Sequence, residues 1–228
     1  ILKMIPHKYF ISSSFNFKIS KPVINIRKQK KINNTILSAI NYLFKTNYEL
    51  KEYDINKIDK KFFSESKKLL PNNNYIGFSI TQGNIYRKKE WPFSNIIQIC
   101  NKIYKNNKIP VFFVEKKNED LIKKIKNSIP SAIFPEHESE LASPALVTCL
   151  GKRLNFAISI DNGVMHMLSL SKIPMLVLFG PTDAEKFAPK YQDVTVLDSK
   201  KLHNSSNIAT ISVKDVLMAA GQHVNFSC

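Results

Sequence analysis

"NFAISIDNGVMHMLSLSKIPMLVLFGPT", residues 155–182, carries the organisation of the chain in miniature. Residues 155–160 form an apolar run of strand length, and 174–180 form another. Asp161, Asn162 and Gly163 interrupt the run as a tight turn, a helix is expected from about Gly163, and His166 falls on its first turn. Both strands are near-continuous Ile, Leu, Val and Phe rather than alternating with polar residues. Strands of that kind are covered on both faces, so the unit belongs to a parallel, doubly wound α/β sheet.

The same alternation extends in both directions. Upstream, "YIGFSI" (75–80) reads as a buried strand, and Phe93, Ile96, Ile97, Cys100, Ile103 and Tyr104 fall at helical spacing. "IPVFFV" (109–114) is the next strand and "NEDLIKKIKN" (118–127) the next helix, with acids in its first turn and lysines later, as the helix dipole prefers. "SAIF" (131–134) reads as a weak third strand. Over 143–151, Ser143 is placed as N-cap, Pro144 at the first helical position and Gly151 just past the end. "VTVL" (194–197) adds a strand, and "SVKDVLMAAG" (212–221) a last helix closed by Gly221. Residues 1–74 differ: "HKYFISS" (7–13) and "PVINI" (22–26) read as strands and "NTILSAINYLF" (34–44) as a helix, too few elements for a second complete domain. The division expected is therefore 1–74, the tail of an upstream domain with a linker, and 75–228, a Rossmann-like domain.

The net charge is +16, of which residues 1–74 carry +10 and residues 75–228 carry +6. Such an excess invites a nucleic-acid partner, because Lys and Arg release counterions from phosphates. The excess sits mainly ahead of the motif-bearing region, in runs such as "RKQKKINN" (27–34), and the aromatics lie in apolar core runs rather than interleaved with Lys on one face. A solvated basic face, or attraction to anionic lipid or a phosphorylated acceptor at a membrane surface, fits better. No apolar run approaches the roughly 20 residues that cross a bilayer. Cys100, Cys149 and Cys228 show neither metal-ligand nor redox spacing and read as buried thiols of a reducing compartment. The chain starts at Ile1 with no signal-peptide pattern, which reads as a missing upstream part.

Open parallel sheets bind ligands beyond the carboxyl ends of their strands, and three loops there are chemically distinctive. "TQGNIYRKKEWP" (81–92) combines Gly83 with Arg87, Lys88 and Lys89, a pairing suited to phosphate, although taken alone it reads more readily as a solvated basic loop. In the second loop Asp161 and His166 can face one site; an Asp capping the helix is the plainer alternative. In "FGPTDAEKFAP" (179–189), Gly180 and Pro181 break the strand and present Thr182 and Asp183. No G-x-G-x-x-G follows the first strand and no Walker A, G-x-S-x-G or metal cluster occurs, which argues against NAD, P-loop, hydrolase and metalloenzyme chemistry.

In order, "GNIYRKKEWP", "DNGVMH", "LVLFGPT" and Pro189 resemble glycosyltransferase family 9, the lipopolysaccharide heptosyltransferases, over roughly residues 75–220. The resemblance implies a GT-B architecture of two Rossmann-like domains, with 75–228 as the C-terminal, nucleotide-sugar-binding domain and 1–74 as a remnant of the N-terminal acceptor domain. It implies an inverting, metal-independent transfer from a nucleoside-diphosphate sugar, ADP-heptose being the family's usual donor, to a lipopolysaccharide or other envelope glycan, in the cytoplasm or peripherally at the inner membrane. No cofactor, metal or nucleic-acid partner is implied. By the same resemblance Lys89 contacts the donor diphosphate and stabilises the leaving group, Thr81, Gly83, Asp161, Asn162, Gly163 and His166 line the donor pocket, Thr182 closes it, and Glu119 lies near the nucleotide ribose. The family's catalytic base belongs to the N-terminal domain, so none is nominated in this chain. The chain departs from the family in having "VEKKNED" after its second strand and "SITQGN" after its first. The alternatives are a basic nucleic-acid-binding protein and a non-catalytic Rossmann-like domain.

Overall fold

The computed structural model describes residues 6, 8–12, 14–27, 32–83, 85–221 and 223. It divides into two compact units, 1–53 and 54–228. In the first unit the expected helix is present as α1 (Ile32–Phe44). Phe17, Ile24 and Ala39 are buried together, with Ile26 and Leu43 against them. The two expected strands do not form. His7 and Ser13 lie outside the described residues, and what remains is one antiparallel bridge, Phe10 to Lys21, followed by irregular chain over 23–27. Val23, 62% exposed, and the exposed Asn25 bury too little apolar surface to hold an edge strand. Lys28, Lys30 and Lys31 of the basic run, like Cys228, lie outside the described residues.

The second unit is built on a five-stranded sheet, all parallel: β1 (Tyr75–Ser79), β2 (Ile109–Phe112), β3 (Leu154–Ile160), β4 (Met175–Phe179) and β5 (Val194–Asp198), in the order β2-β1-β3-β4-β5. The expected parallel α/β architecture is therefore met. Because side chains alternate along a strand, each strand feeds two cores. Ile76, Phe78, Phe112, Phe156, Ile158, Leu176 and Leu178 face one side with Ile96, Ile99, Cys100 and Ile103 of α3 (Phe93–Lys105), Ile125 of α4 (Glu119–Ser128) and Val216 of α9 (Val213–Ala220). Tyr75, Val111, Ala157, Met175 and Val177 face the other with Phe62 and Leu69 of α2 (Lys60–Leu69), Leu146 and Leu150 of α5 (Pro144–Gly151) and Met165 and Leu168 of α6 (Gly163–Ser169). Short helices α7 (Ala184–Phe187) and α8 (Ser199–His203) complete the alternation.

The cap at Ser143 is as expected, its hydroxyl accepting the Leu146 N–H, and Ser212 forms a capping box with Asp215 at α9. Gly151, in contrast, is the last residue of α5 rather than the one past it. A Cβ there would stand 2.3 Å from Ser171 Oγ, so glycine is required by the close approach of the segment following α6. "SAIF" is not a strand: Ile133 makes one parallel bridge to Val111, and Pro135, without an N–H, opens a 3-10 turn (Pro135–Glu138). Helix α2 packs on α5, and Arg153 donates to the carbonyls of Leu70, Pro71 and Asn72 between α2 and β1. For this reason residues 54–74 join the sheet unit instead of the front part, and the contact boundary falls at Tyr53/Asp54. Cys100 and Cys149 are buried, and burial pushes both thiols upward, Cys149 to about 11.

Candidate functional site

Sheet order places β1 between β2 and β3, so the chain leaves β1 toward one edge and later returns on its other side. That reversal opens a crevice at the carboxyl ends of the strands. An open cleft of about 610 Å³ lies there, lined by Thr81, Gln82 and Gly83 after β1, Glu115, Lys117 and Asn118 after β2, and Asn162, Gly163, Val164 and Met167 at the start of α6.

Asn162, not Asp161, caps α6: its Oδ1 accepts the Met165 N–H at 2.8 Å. Its Nδ2 donates to Ser79 Oγ at 2.7 Å and to the Thr81 carbonyl at 2.9 Å, tying the exit of β1 to the exit of β3. Asp161 is thereby freed from capping, and it is 7% exposed. Lys89 Nζ donates to Asp161 Oδ2 at 2.6 Å and to the Asp161 carbonyl at 3.0 Å. Main-chain support for Lys89 comes from Gln82, whose Oε1 accepts the Lys89 N–H at 2.8 Å, after Lys88 has turned the chain at φ 47°. Two residues on, Trp91 is buried and its indole N–H donates to the Ile211 carbonyl at 2.8 Å.

His166 lies on α6 as expected, exposed but close enough to sense both charges. Partial desolvation lowers its pKa, as does Lys89, with the Asp161 carboxylate acting the other way. Thr182 sits in the loop after β4; its hydroxyl is buried without a hydrogen-bond partner, and its carbonyl and that of Pro181 accept from Lys200 Nζ. Gly180 lets this loop close on Ile208, whose backbone nitrogen would stand 2.9 Å from an added Cβ.

Of the nine donor-site residues read from the sequence, Thr81, Gly83, Asn162 and Gly163 line the cleft, and Lys89 and Asp161 pair with each other off its lining. Glu119 does not line it. It opens α4 as an exposed residue just beyond Asn118, and the carboxylate on the cleft is Glu115, 2.5 Å from Lys117. Glu115 directly follows the apolar run of β2 as Asp161 follows that of β3, a strand-end position that could have marked it. The 3-10 turn Pro135–Glu138 docks beside Glu115, because a ring nitrogen of His137 lies 2.7 Å from the Val114 carbonyl. There, burial and the Glu115 charge push the Glu136 carboxyl up to about 7. A cleft lined by the Gln82, Asn118 and Asn162 amides and by the paired Glu115 and Lys117, with a second ion pair, Lys89–Asp161, on residues adjoining its lining, suits a polar small molecule.

A family model described as glycosyltransferase family 9 (heptosyltransferase) matches residues 11–215. No curated protein matches the sequence. Among solved structures, a glycosyl transferase family 9 protein from Veillonella parvula superposes with TM-score 0.67 at 17% identity, over 86% of this chain and 61% of that one. The Escherichia coli ADP-heptose lps heptosyltransferase II gives 0.58 at 15%, covering 73% and 52%. Escherichia coli heptosyltransferase WaaC with ADP gives 0.57 at 14%, covering 70% and 48%. The chain thus spans about half to three-fifths of these relatives, and at such identities the likeness is one of fold.

Proposed function

The chain belongs to glycosyltransferase family 9, and from that membership we propose that its second unit binds the nucleoside-diphosphate sugar of an inverting, metal-independent glycosyl transfer. ADP-heptose is the donor proposed, and a lipopolysaccharide or related envelope glycan the acceptor. The observation that carries the reading is the cleft at the β1/β3 crevice with the Lys89–Asp161 pair at its edge, since departure of a nucleoside diphosphate needs positive charge beside it. In this reading Lys89 stabilises the leaving group, Thr81, Gly83, Asn162, Gly163 and His166 frame the donor, Asp161 meets its sugar side, and the orphan hydroxyl of Thr182 donates to it. Glu119 or, from its place on the cleft, Glu115 accepts from the ribose. No residue of this chain is assigned as the base that deprotonates the acceptor.

The first unit is proposed as part of the acceptor side. Exposed Tyr9, Phe15, Phe44 and Tyr48 and the basic excess of the front part support contact with an anionic membrane surface from the cytoplasmic face. No helix among the described residues is long and apolar enough to cross a membrane.

Calorimetric titration with ADP, UDP and GDP at two salt concentrations tests the reading. One nucleotide is expected to bind at a 1:1 ratio, with binding lost in Lys89→Ala. No binding to any of the three, together with tight, salt-sensitive binding to an oligonucleotide, would replace it with the nucleic-acid alternative.

A further inference from the structure

Lys89 is not a free cation waiting for phosphate. Its ammonium meets the Asp161 carboxylate at 2.6 Å and the Asp161 carbonyl at 3.0 Å, with the two side chains only 12% and 9% exposed. Neither residue lines the cleft. A charge-assisted pair this short and this far from water is a strong rival for any incoming anion, unlike a solvated surface pair. The Lys89 main chain is meanwhile held by Gln82 Oε1, and Gln82 lines the cleft beside Thr81 and Gly83, so the anchored end of Lys89 borders the cleft that its ammonium does not face.

Resting on the nucleotide-sugar reading above, we propose that Asp161 competes with the donor's diphosphate for Lys89, and that this competition selects the sugar-bearing donor over the free nucleoside diphosphate. If Lys89 turns to phosphate, Asp161 is left as a buried carboxylate with no cation, a strongly unfavourable state unless other donors reach it. A sugar attached to the diphosphate carries hydroxyl groups that can donate to that carboxylate. A free nucleoside diphosphate carries none on that side. The intact donor therefore satisfies both members of the pair, whereas after transfer the leaving nucleotide satisfies only Lys89, and re-formation of the pair helps to expel it. Asp161 is in this way a specificity-determining residue whose carboxylate weakens product binding.

The test is calorimetric, on the full chain, with ADP, UDP and GDP and with the matching glucose-linked nucleotides as probes, comparing wild type, Asp161→Asn, Asp161→Ser and Lys89→Met. Wild type is expected to prefer the sugar-linked form, and both Asp161 variants to bind the free nucleoside diphosphate roughly tenfold tighter than wild type while losing that preference. Lys89→Met should lose affinity for both forms. Asp161 variants that bind the free nucleotide no tighter than wild type would overturn the proposal. So would a wild type that binds the free nucleotide as well as the sugar-linked one, a result that needs no variant to fold. If wild type binds none of the nucleotides, the nucleotide-sugar reading falls first and the competition with it.

Discussion

The Asn162 amide joins two strand ends and a helix at once, so its removal is felt at all three. Asn162→Ala deletes the α6 cap and leaves the Thr81 carbonyl without its donor, and should lower unfolding free energy by about 2 kcal/mol in urea titrations. Asn162→Ser, which keeps a capping oxygen but cannot donate across to Thr81, should recover about half of that loss. Glu136 gives a pH-dependent counterpart. Its carboxyl is raised from 4.5 to about 7, so the folded chain binds more protons than the unfolded one in that interval, and stability falls as pH rises through it. Glu136→Gln should remove this decline and make the chain more stable than wild type at pH 8 by about 2 kcal/mol, read from paired denaturation curves at pH 5 and 8. At this scale the sequence was legible where a residue's chemistry is tied to a strand end: Asp161, Asn162 and Gly163 stand where ligands meet a parallel sheet. It was not legible where a side chain acts through partners distant in sequence. Nothing local to Gln82 announces that it holds Lys89, and the choice between Glu115 and Glu119 depends on where α4 begins.

Helices with a broad apolar face were visible in the sequence, and α3 is an example, although Ile99 belongs to its buried stripe and Tyr104 points outward at 62% exposure. Helix α2 escaped because "KKFFSESKKL" is mostly polar; what fixes it is Phe62 and Leu69 in the core, Glu65 accepting from Ser139, and the Arg153 clamp behind it. Short apolar runs misled in the opposite direction. "SAIF" has strand composition, but the chain that follows begins with proline and turns away after one bridge. The α5–α6 packing provides the test at this scale. Gly151→Ala would force a methyl against Ser171 Oγ, whose hydroxyl already donates to the Thr148 carbonyl at 2.5 Å. A loss of about 1–3 kcal/mol in chemical denaturation is expected, with the far-UV spectrum unchanged.

At the scale of the whole molecule, strand order is the feature that alternating strands and helices do not specify. The apolar runs establish a parallel sheet, yet the reversal at β1 that opens the cleft is settled by how all the helices distribute over the two faces. The placement of the unit boundary follows the same logic, since α2 is sequence-adjacent to the first unit but buried against the second. Residues 54–228 produced alone should therefore unfold in one cooperative transition and retain the nucleotide affinity of the full chain, whereas a version starting at residue 75, without α2 and the segment clamped by Arg153, should melt at least several degrees lower in calorimetry.

Trp91 is the single tryptophan of the chain, and it is buried two residues beyond Lys89 on the same loop. Its indole is anchored across the fold to Ile211, so a shift of the Lys89 loop that carries Trp91 with it changes the ring's surroundings. The molecule thus contains its own optical gauge. Excited at the red edge, where tyrosine is silent, its emission reports the seating of one loop beside one cleft, with no label added and no second indole to blur the signal.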